Sequence, residues 1–224
     1  RPESSRSGSR PESLFESVGA GLGYLRRRTG HTTLLAIGAL VNLCMVPAFS
    51  LLPLLVVEQG GGAARLGGMT SIFGAGTLAG GVLLGLWGGF HRRIHTTALG
   101  LLGAGLATVA LALAPSAGLA LAAVAAVGLA IPLVNGPIQA LLQATIAADY
   151  QGRVFTLYGS VCAMMTPIGL AAAAPIADWL GVRAWFVAGG TICLGMALLG
   201  ALSPSLRRIE EADAVGAAVL RQQS

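Results

Sequence analysis

Three amides stand four residues apart in an otherwise apolar run: Asn135, Gln139 and Gln143. At 100° per residue they share one helical face about 80° wide. Side chains that both donate and accept hydrogen bonds are costly when they look into hydrocarbon, so this row must look at protein or at a watery cavity. Two readings stay open: a stripe that hydrogen-bonds a bound small molecule, or glue between helices. Pro132 and Pro137 in the same run remove backbone donors and permit bending. Asn42 with Met45, and Met164, Met165 and Thr166, fall near the middle of two further apolar runs. An unbranched thioether suits a cavity that accepts several apolar shapes, and ordinary packing is the blander reading of each methionine.

Charged residues are confined to the ends of the runs. Asp149 and Arg153 lie four apart around Gly152; Asp178, Gly181 and Arg183 form a second set, and Arg92 and Arg93 a third. As solvated surface pairs they would be worth little. No Asp, Glu, His, Lys or Arg lies deep in a run, so the chain carries no intramembrane proton relay of its own. Enzymatic readings fare poorly: there is no metal-ligand cluster, no phosphate-cradling glycine loop, no nucleophile-base pair, and Ser160 has no histidine nearby in its span. No cofactor is expected. Cys44, Cys162 and Cys193 fall inside runs, where they behave as small apolar residues.

The elements that must position these groups are six apolar stretches: Thr33 to Val57, Leu66 to Phe90, Thr96 to Ala114, Gly118 to Ala144, Val154 to Ala177 and Ala184 to Leu202. Each is near or above the ~20 residues that cross ~30 Å of hydrocarbon. With 54% hydrophobic and 10% charged residues and a mean hydropathy of +0.76, too little polar surface remains to coat a soluble globule. The runs are apolar on every face, which excludes spanning strands and predicts an all-α integral membrane fold. The 33 glycines fit helices that approach closely in lipid. Gly81, Gly85 and Gly89 keep a strict four-residue repeat and are read as a packing face, whereas the row through Gly76 and Gly80 breaks at Leu84.

Arginine supplies all 14 positive charges. If the first span starts in the cytoplasm, the inner side holds Arg26, Arg27, Arg28, Arg92, Arg93, Arg153, Arg207, Arg208 and Arg221, and the outer loops only Arg65 and Arg183. The positive-inside rule then places both termini in the cytoplasm, in a multi-pass protein of the cell (plasma or inner) membrane. Nucleic-acid binding is a poor reading of the charge, since the arginines are dispersed over several loops. Residues 1–13, which repeat Arg-Pro-Glu-Ser, read as a disordered linker. Residues 14–32 read as an amphipathic juxtamembrane helix, with Leu14, Val18, Leu22 and Leu25 on one face. Residues 204–224 read as a cytoplasmic tail. The chain does not begin with methionine, which suggests a fragment or processed product.

Two loops share an outline: Gly85-Leu-Trp-Gly-Gly-Phe-His-Arg-Arg93 after the second span and Pro175-Ile-Ala-Asp-Trp-Leu-Gly-Val-Arg183 after the fifth. Two three-helix units of opposite topology are the building plan of inverted-repeat transporters. With these residues the chain resembles the carboxy-terminal six-helix half of a major facilitator superfamily transporter. The second loop resembles the family's G-x-x-x-D-x-x-G-x-R signature through Asp178, Gly181 and Arg183, with Ala174 at the first glycine; the first has Gly88 and His91 in place of the aspartate and second glycine. The segment Phe15 to Arg28, the stretches Asn135 to Gln143 and Gln151 to Phe155, and Pro167 through Pro175 are similar to the macrolide-efflux and enterobactin-exporter branch.

The resemblance implies two inverted three-helix repeats and proton-coupled efflux of drugs or other small amphipathic molecules. It also implies an amino-terminal six-helix half, in the same or a separate chain, that supplies the titrating carboxylate. It implies that Asp149 with Arg153 locks the inner mouth and Asp178 with Arg183 the outer one. The alternatives are a truncated or non-transporting membrane module, and a six-helix half-transporter acting as a homodimer. The membrane domain of an ATP-driven exporter is disfavoured by the short inner loops.

Overall fold

The structure, a computed structural model, describes residues 29–203 except His91 and Ala147. The linker at 1–13, most of the amphipathic segment and the tail lie outside the described residues. Among the described residues six helices follow one another: α1 Thr29–Glu58, α2 Ala63–Trp87, α3 Arg93–Leu113, α4 Ala117–Thr145, α5 Ala148–Leu180 and α6 Val182–Leu202. All six contain a stretch long and apolar enough to cross a membrane. The fold is all-helical. The near end, where α1 begins, also holds the α2–α3 and α4–α5 links; the far end holds the other three links.

Helix ends follow backbone chemistry rather than hydropathy. The second apolar run continues to Phe90, but α2 stops at Trp87 because Gly88 and Gly89 adopt left-handed φ values of 73° and 76°. Gly88 N–H then closes on the Leu84 carbonyl at 2.8 Å. The Phe90 N–H donates to the Thr96 hydroxyl at 2.8 Å, tying the turn to α3. At the far end Ser116 caps α4 by accepting from Leu119 N–H at 3.3 Å. Conversely, α5 starts at Ala148, before the apolar run at Val154, because a helix extends into polar sequence as long as its backbone bonds propagate.

The packing order, from one flank to the other, is α2, α4, α3, α6, α1, α5. Exchanging α1 with α4, α2 with α5 and α3 with α6 maps the α2–α4 pairing onto α5–α1 and α3–α4 onto α6–α1. It returns α3–α6 to itself. That pseudo-twofold is the inverted repeat anticipated from the two similar loops. At its centre a Cβ on Gly105 would lie 2.7 Å from the Gly190 carbonyl oxygen, and one on Gly190 2.8 Å from that of Gly105. The two backbones touch because neither has a side chain there. The core has a near-end layer, including Leu101, Ile138, Leu141 and Cys193, and a far-end layer, including Leu55, Met69, Val124 and Phe186.

The glycine row expected to pack is not the one that does so within this body. Gly81 and Gly85 face open space, and Gly89 belongs to the turn after α2. The interrupted row packs instead: a Cβ on Gly76 or Gly80 would run into the carbonyl oxygens of Ala125 or Leu129 on α4. Leu84 does not end that contact, since its side chain lies over Gly136, 2.6 Å from where a Cβ would be. A large residue can close a small-residue row by filling the gap the partner's glycine leaves.

Candidate functional site

On α4 the residues Leu133, Val134, Ile138, Leu141 and Leu142 are buried against neighbouring helices. Asn135 and Gln143 are exposed and Gln139 is half-buried between them. The amide row therefore follows the side of α4 that the six-helix body leaves largely unpacked.

On α5, Met164 is 62% exposed, with Met165 and Thr166 half-buried beside it. On α1, Asn42 is half-buried and its Nδ2 donates to the Gly38 carbonyl at 2.9 Å, one turn back in its own helix. Met45 departs from the set. It is 5% exposed in the core, with its sulfur 3.8 Å from the buried Thr108 hydroxyl, which donates to the Ala104 carbonyl at 2.7 Å. It lines an apolar void of about 10 Å³ with Phe49, Leu52 and Phe186, about the size of one water. The structure thus places the amides and the α5 residues on outward-facing positions of separate helices, and Met45 inside.

At the near end, Gly152 is exposed and Arg153 half-buried within the first turns of α5. The Asp149 side chain lies outside the described residues. Gln151, absent from the expected site, bridges the α4–α5 junction. Its Nε2 donates to the carbonyls of Gln143 at 2.9 Å and Ile146 at 3.1 Å, covering acceptors that the end of α4 leaves without helical partners. Arg92 is exposed and precedes α3 directly; Arg93 is half-buried and lines a second void of about 10 Å³ between α1, α3, α4 and α6.

The far end revises the expected pairing. Asp178 is exposed in the last turn of α5, Gly181 turns the chain with φ 84°, and Arg183 lies in the first turn of α6. Arg183 Nε reaches Glu58 Oε2 at the end of α1, at 3.8 Å, rather than Asp178. Beside it Arg65 donates to the Gln59 side-chain oxygen at 2.7 Å and to the Gln59 carbonyl at 3.3 Å. Glu58, Gln59, Arg65 and Arg183 line a polar cavity of about 440 Å³. Sequence reasoning missed Glu58. The signal was its position, the first charge after the longest uncharged stretch of the first span, but nothing local named its partner on α6. Among the described residues no group of three His, Cys, Asp or Glu is arranged to hold a metal.

A family model described as Major Facilitator Superfamily matches residues 1–169. Macrolide efflux protein A of Streptococcus pyogenes is 33% identical over 193 residues, covering 85% of this chain and 48% of its own length. Macrolide efflux protein A of Enterococcus faecalis is 35% identical over 153 residues, 67% of this chain and 47% of that protein. The Multidrug efflux pump Tap of Mycolicibacterium fortuitum is 29% identical over 208 residues, covering 89% and 49%. The chain spans about half the length of the curated relatives it matches.

Proposed function

Because the chain belongs to the major facilitator superfamily of transporters, in its macrolide-efflux branch, we propose that it is the carboxy-terminal six-helix half of a drug-efflux transporter in the plasma membrane. A second six-helix half would complete it. The observation that carries this reading is the amide row of Asn135, Gln139 and Gln143 on the outward side of α4, hydrogen-bonding groups left facing away from the body's own core. A completing half would enclose that row and the α5 positions Met164, Met165 and Thr166 in one cavity near the midplane. Amides and thioethers there suit large amphipathic molecules that are neutral or cationic. Both flanking helices support a partner: Leu78, Val82 and Leu86 of α2 are 75%, 61% and 85% exposed, beside the open glycines Gly81 and Gly85, and Met164 and Ile168 of α5 are 62% and 48% exposed.

Coupling is to protons, with the titrating carboxylate outside these spans. The three acidic residues in the described range, Glu58, Asp149 and Asp178, all stand at helix ends. The near end, rich in arginine, faces the cytoplasm. Asp149 with Arg153 gates that end, and Arg183 with Glu58 the other.

The test is macrolide accumulation in drug-sensitive cells expressing the intact gene. Energised cells should retain less drug than controls, a proton uncoupler should abolish the difference, and Gln139→Ala should change the ranking of substrates more than the amount of protein. Equal accumulation with and without the gene sinks the transporter reading; an unchanged ranking across all substrates sinks the cavity assignment.

A further inference from the structure

The exchange that relates the two repeats makes the α1–α2 junction at the far end the counterpart of the α4–α5 junction at the near end, and their polar groups are balanced differently. At the near end Gln151 spends its amide on two carbonyls at the end of α4. At the far end an arginine does the covering. α1 closes with Gly60 at φ 70° and with the Gly61 N–H on the Val56 carbonyl at 2.8 Å. The Arg65 stem lies over Gly61, where a Cβ would be 2.7 Å from its Cδ, and its guanidinium folds back to give both Nη groups to Gln59. Two donors are left over: Arg65 Nε and Gln59 Nε2 are buried and have no acceptor in the protein. A buried donor left unpaired is costly, and an acceptor brought in from outside recovers that cost.

The same two side chains line the far-end cavity of about 440 Å³ with Glu58, Ser116, Ala117 and Arg183. Among the described residues the one polar partner of Arg183 is Glu58, at 3.8 Å, well beyond the ~2.7–2.9 Å of a charge-assisted hydrogen bond. Ala117 opens α4, a helix of 29 residues whose first-turn N–H groups lack helical partners and whose dipole favours negative charge. Among the described residues Arg65 and Arg183 are the only basic side chains at the far end, and helices far apart in the chain bring both to this one cavity. Glu58 is the one carboxylate in the lining, and the exposed Asp178 stands outside it. Donors and positive charge are thus in excess, which calls for an anion. Arg65 has its paired Nη groups on Gln59, so its two-pronged grip on a planar carboxylate is taken. The donors that remain come from α1, α2, α4 and α6, an arrangement that suits the several oxygens of a tetrahedral oxyanion.

We propose that the far-end cavity is a binding site for one phosphate group, held by Arg183, Arg65, Gln59 and the first turn of α4. At the ~30 Å³ share of one water the cavity has room for on the order of fifteen such groups, enough for inorganic phosphate with its water or for the head of an anionic phospholipid. It lies among the ends of membrane-spanning helices, the depth at which lipid headgroups stand. A phosphate there ties the end of α1 to the starts of α2, α4 and α6. The site shares Glu58 and Arg183 with the outer gate proposed above but rests neither on that gate nor on what the protein transports.

The test uses the full native polypeptide, purified in detergent and phosphate-free buffer, and titrates it with inorganic phosphate or with short-chain dihexanoyl-phosphatidylglycerol. The readout is the fraction of monodisperse protein that survives heating, against sodium chloride of equal ionic strength. At least one probe should protect saturably, with half-maximal effect below about 10 mM. The probe with the lower midpoint identifies the source, free phosphate or lipid head, and equal midpoints mean that the phosphate group alone is read. Arg183→Gln, at a side chain 51% exposed that folding does not depend on, should raise the midpoint at least ~10-fold. Glu58→Gln removes the competing carboxylate and should lower it several-fold, a gain that a merely structural role would not give. Arg92→Gln, exposed at the near end, should leave the midpoint unchanged. No protection beyond sodium chloride by either probe means that the cavity holds water only and overturns the proposal. So does acetate that protects as well as phosphate, an unchanged midpoint in Arg183→Gln protein that elutes as wild type, or an equal shift in Arg92→Gln.

Discussion

Gly80 and Gly81 are neighbours in sequence with opposite surroundings. A Cβ on Gly80 would run into the Leu129 carbonyl oxygen of α4, whereas one on Gly81 would meet nothing within 4 Å. Gly80→Ala therefore forces α2 away from α4, its main packing partner. What must yield is helix backbone, not the tip of a flexible side chain, so the cost belongs at the upper end of overpacking penalties, about 3 kcal/mol. Alanine's better helix propensity offsets up to ~1 kcal/mol of that, leaving a net loss of about 2 kcal/mol. For a domain of this size that is a fall of about 4–8 °C in Tm. Gly81→Ala gains the propensity term alone, so its Tm should hold or rise slightly. The assay is the fraction of protein eluting as a monodisperse peak after heating in detergent, read by a fluorescent tag. If Gly80→Ala is as stable as Gly81→Ala, the α2–α4 approach is wrong. If Gly81→Ala is neutral in these six helices but destabilises a longer native polypeptide, the open glycine face is where a second half docks.

Three further outcomes are expected. Trp185→Phe removes the indole N–H that donates to the buried Cys44 carbonyl at 3.2 Å and should cost about 1–2 kcal/mol in the same heating assay; an unchanged Tm would mean that bond contributes nothing. Glu58→Gln should alter stability by less than about 1 kcal/mol, because Glu58 and Arg183 are 41% and 51% exposed, yet change the rate of drug efflux from energised cells; a wild-type rate removes the pair from the gate. Arg153→Ala should slow efflux while the protein still reaches the membrane in normal amount, and a normal rate excludes its gating role.

The six spans were legible because long runs of Leu, Ala, Val and Gly allow only one way to cross hydrocarbon. Which side of each span faces a neighbour was much less so. In a helix that is apolar all round, composition does not separate inside from outside, and that is why the regular row of Gly81 and Gly85 looked like the packing face and the row of Gly76 and Gly80 did not. The choice was made by α4, which presents Gly128 so closely to α2 that a Cβ there would run into the Phe73 carbonyl oxygen. The amide row was legible for the opposite reason: in an apolar run, a polar period of four is conspicuous against its background. Glu58 shows the third case. Its partner is 125 positions away (183 − 58), brought to it by the α5–α6 turn at Gly181, whereas spacing alone pointed to Asp178, five residues from Arg183.

The α3–α6 pair constrains how such a body can move. Gly105 and Gly190 meet backbone to backbone on the pseudo-twofold, and sliding one helix past the other by a turn would bring Leu101 or Val109, and Phe186 or Leu194, into a gap sized for no side chain. Interfaces packed in this way are bistable or rigid, not continuously deformable. Each repeat contributes one helix to this spine, so the two repeats should shift together as one unit. In the transporter proposed above, motion that exposes a substrate alternately to either side would then have to arise where the spine leaves surfaces open, along the amide row of α4 and the flanks of α2 and α5. Substitutions should separate accordingly. Gly105→Leu should abolish folding and transport together, while Gln139→Ala should leave the heating profile intact and change only what is carried. If Gly105→Leu folded normally with altered transport, the spine would be a moving joint and the six helices would not act as one body.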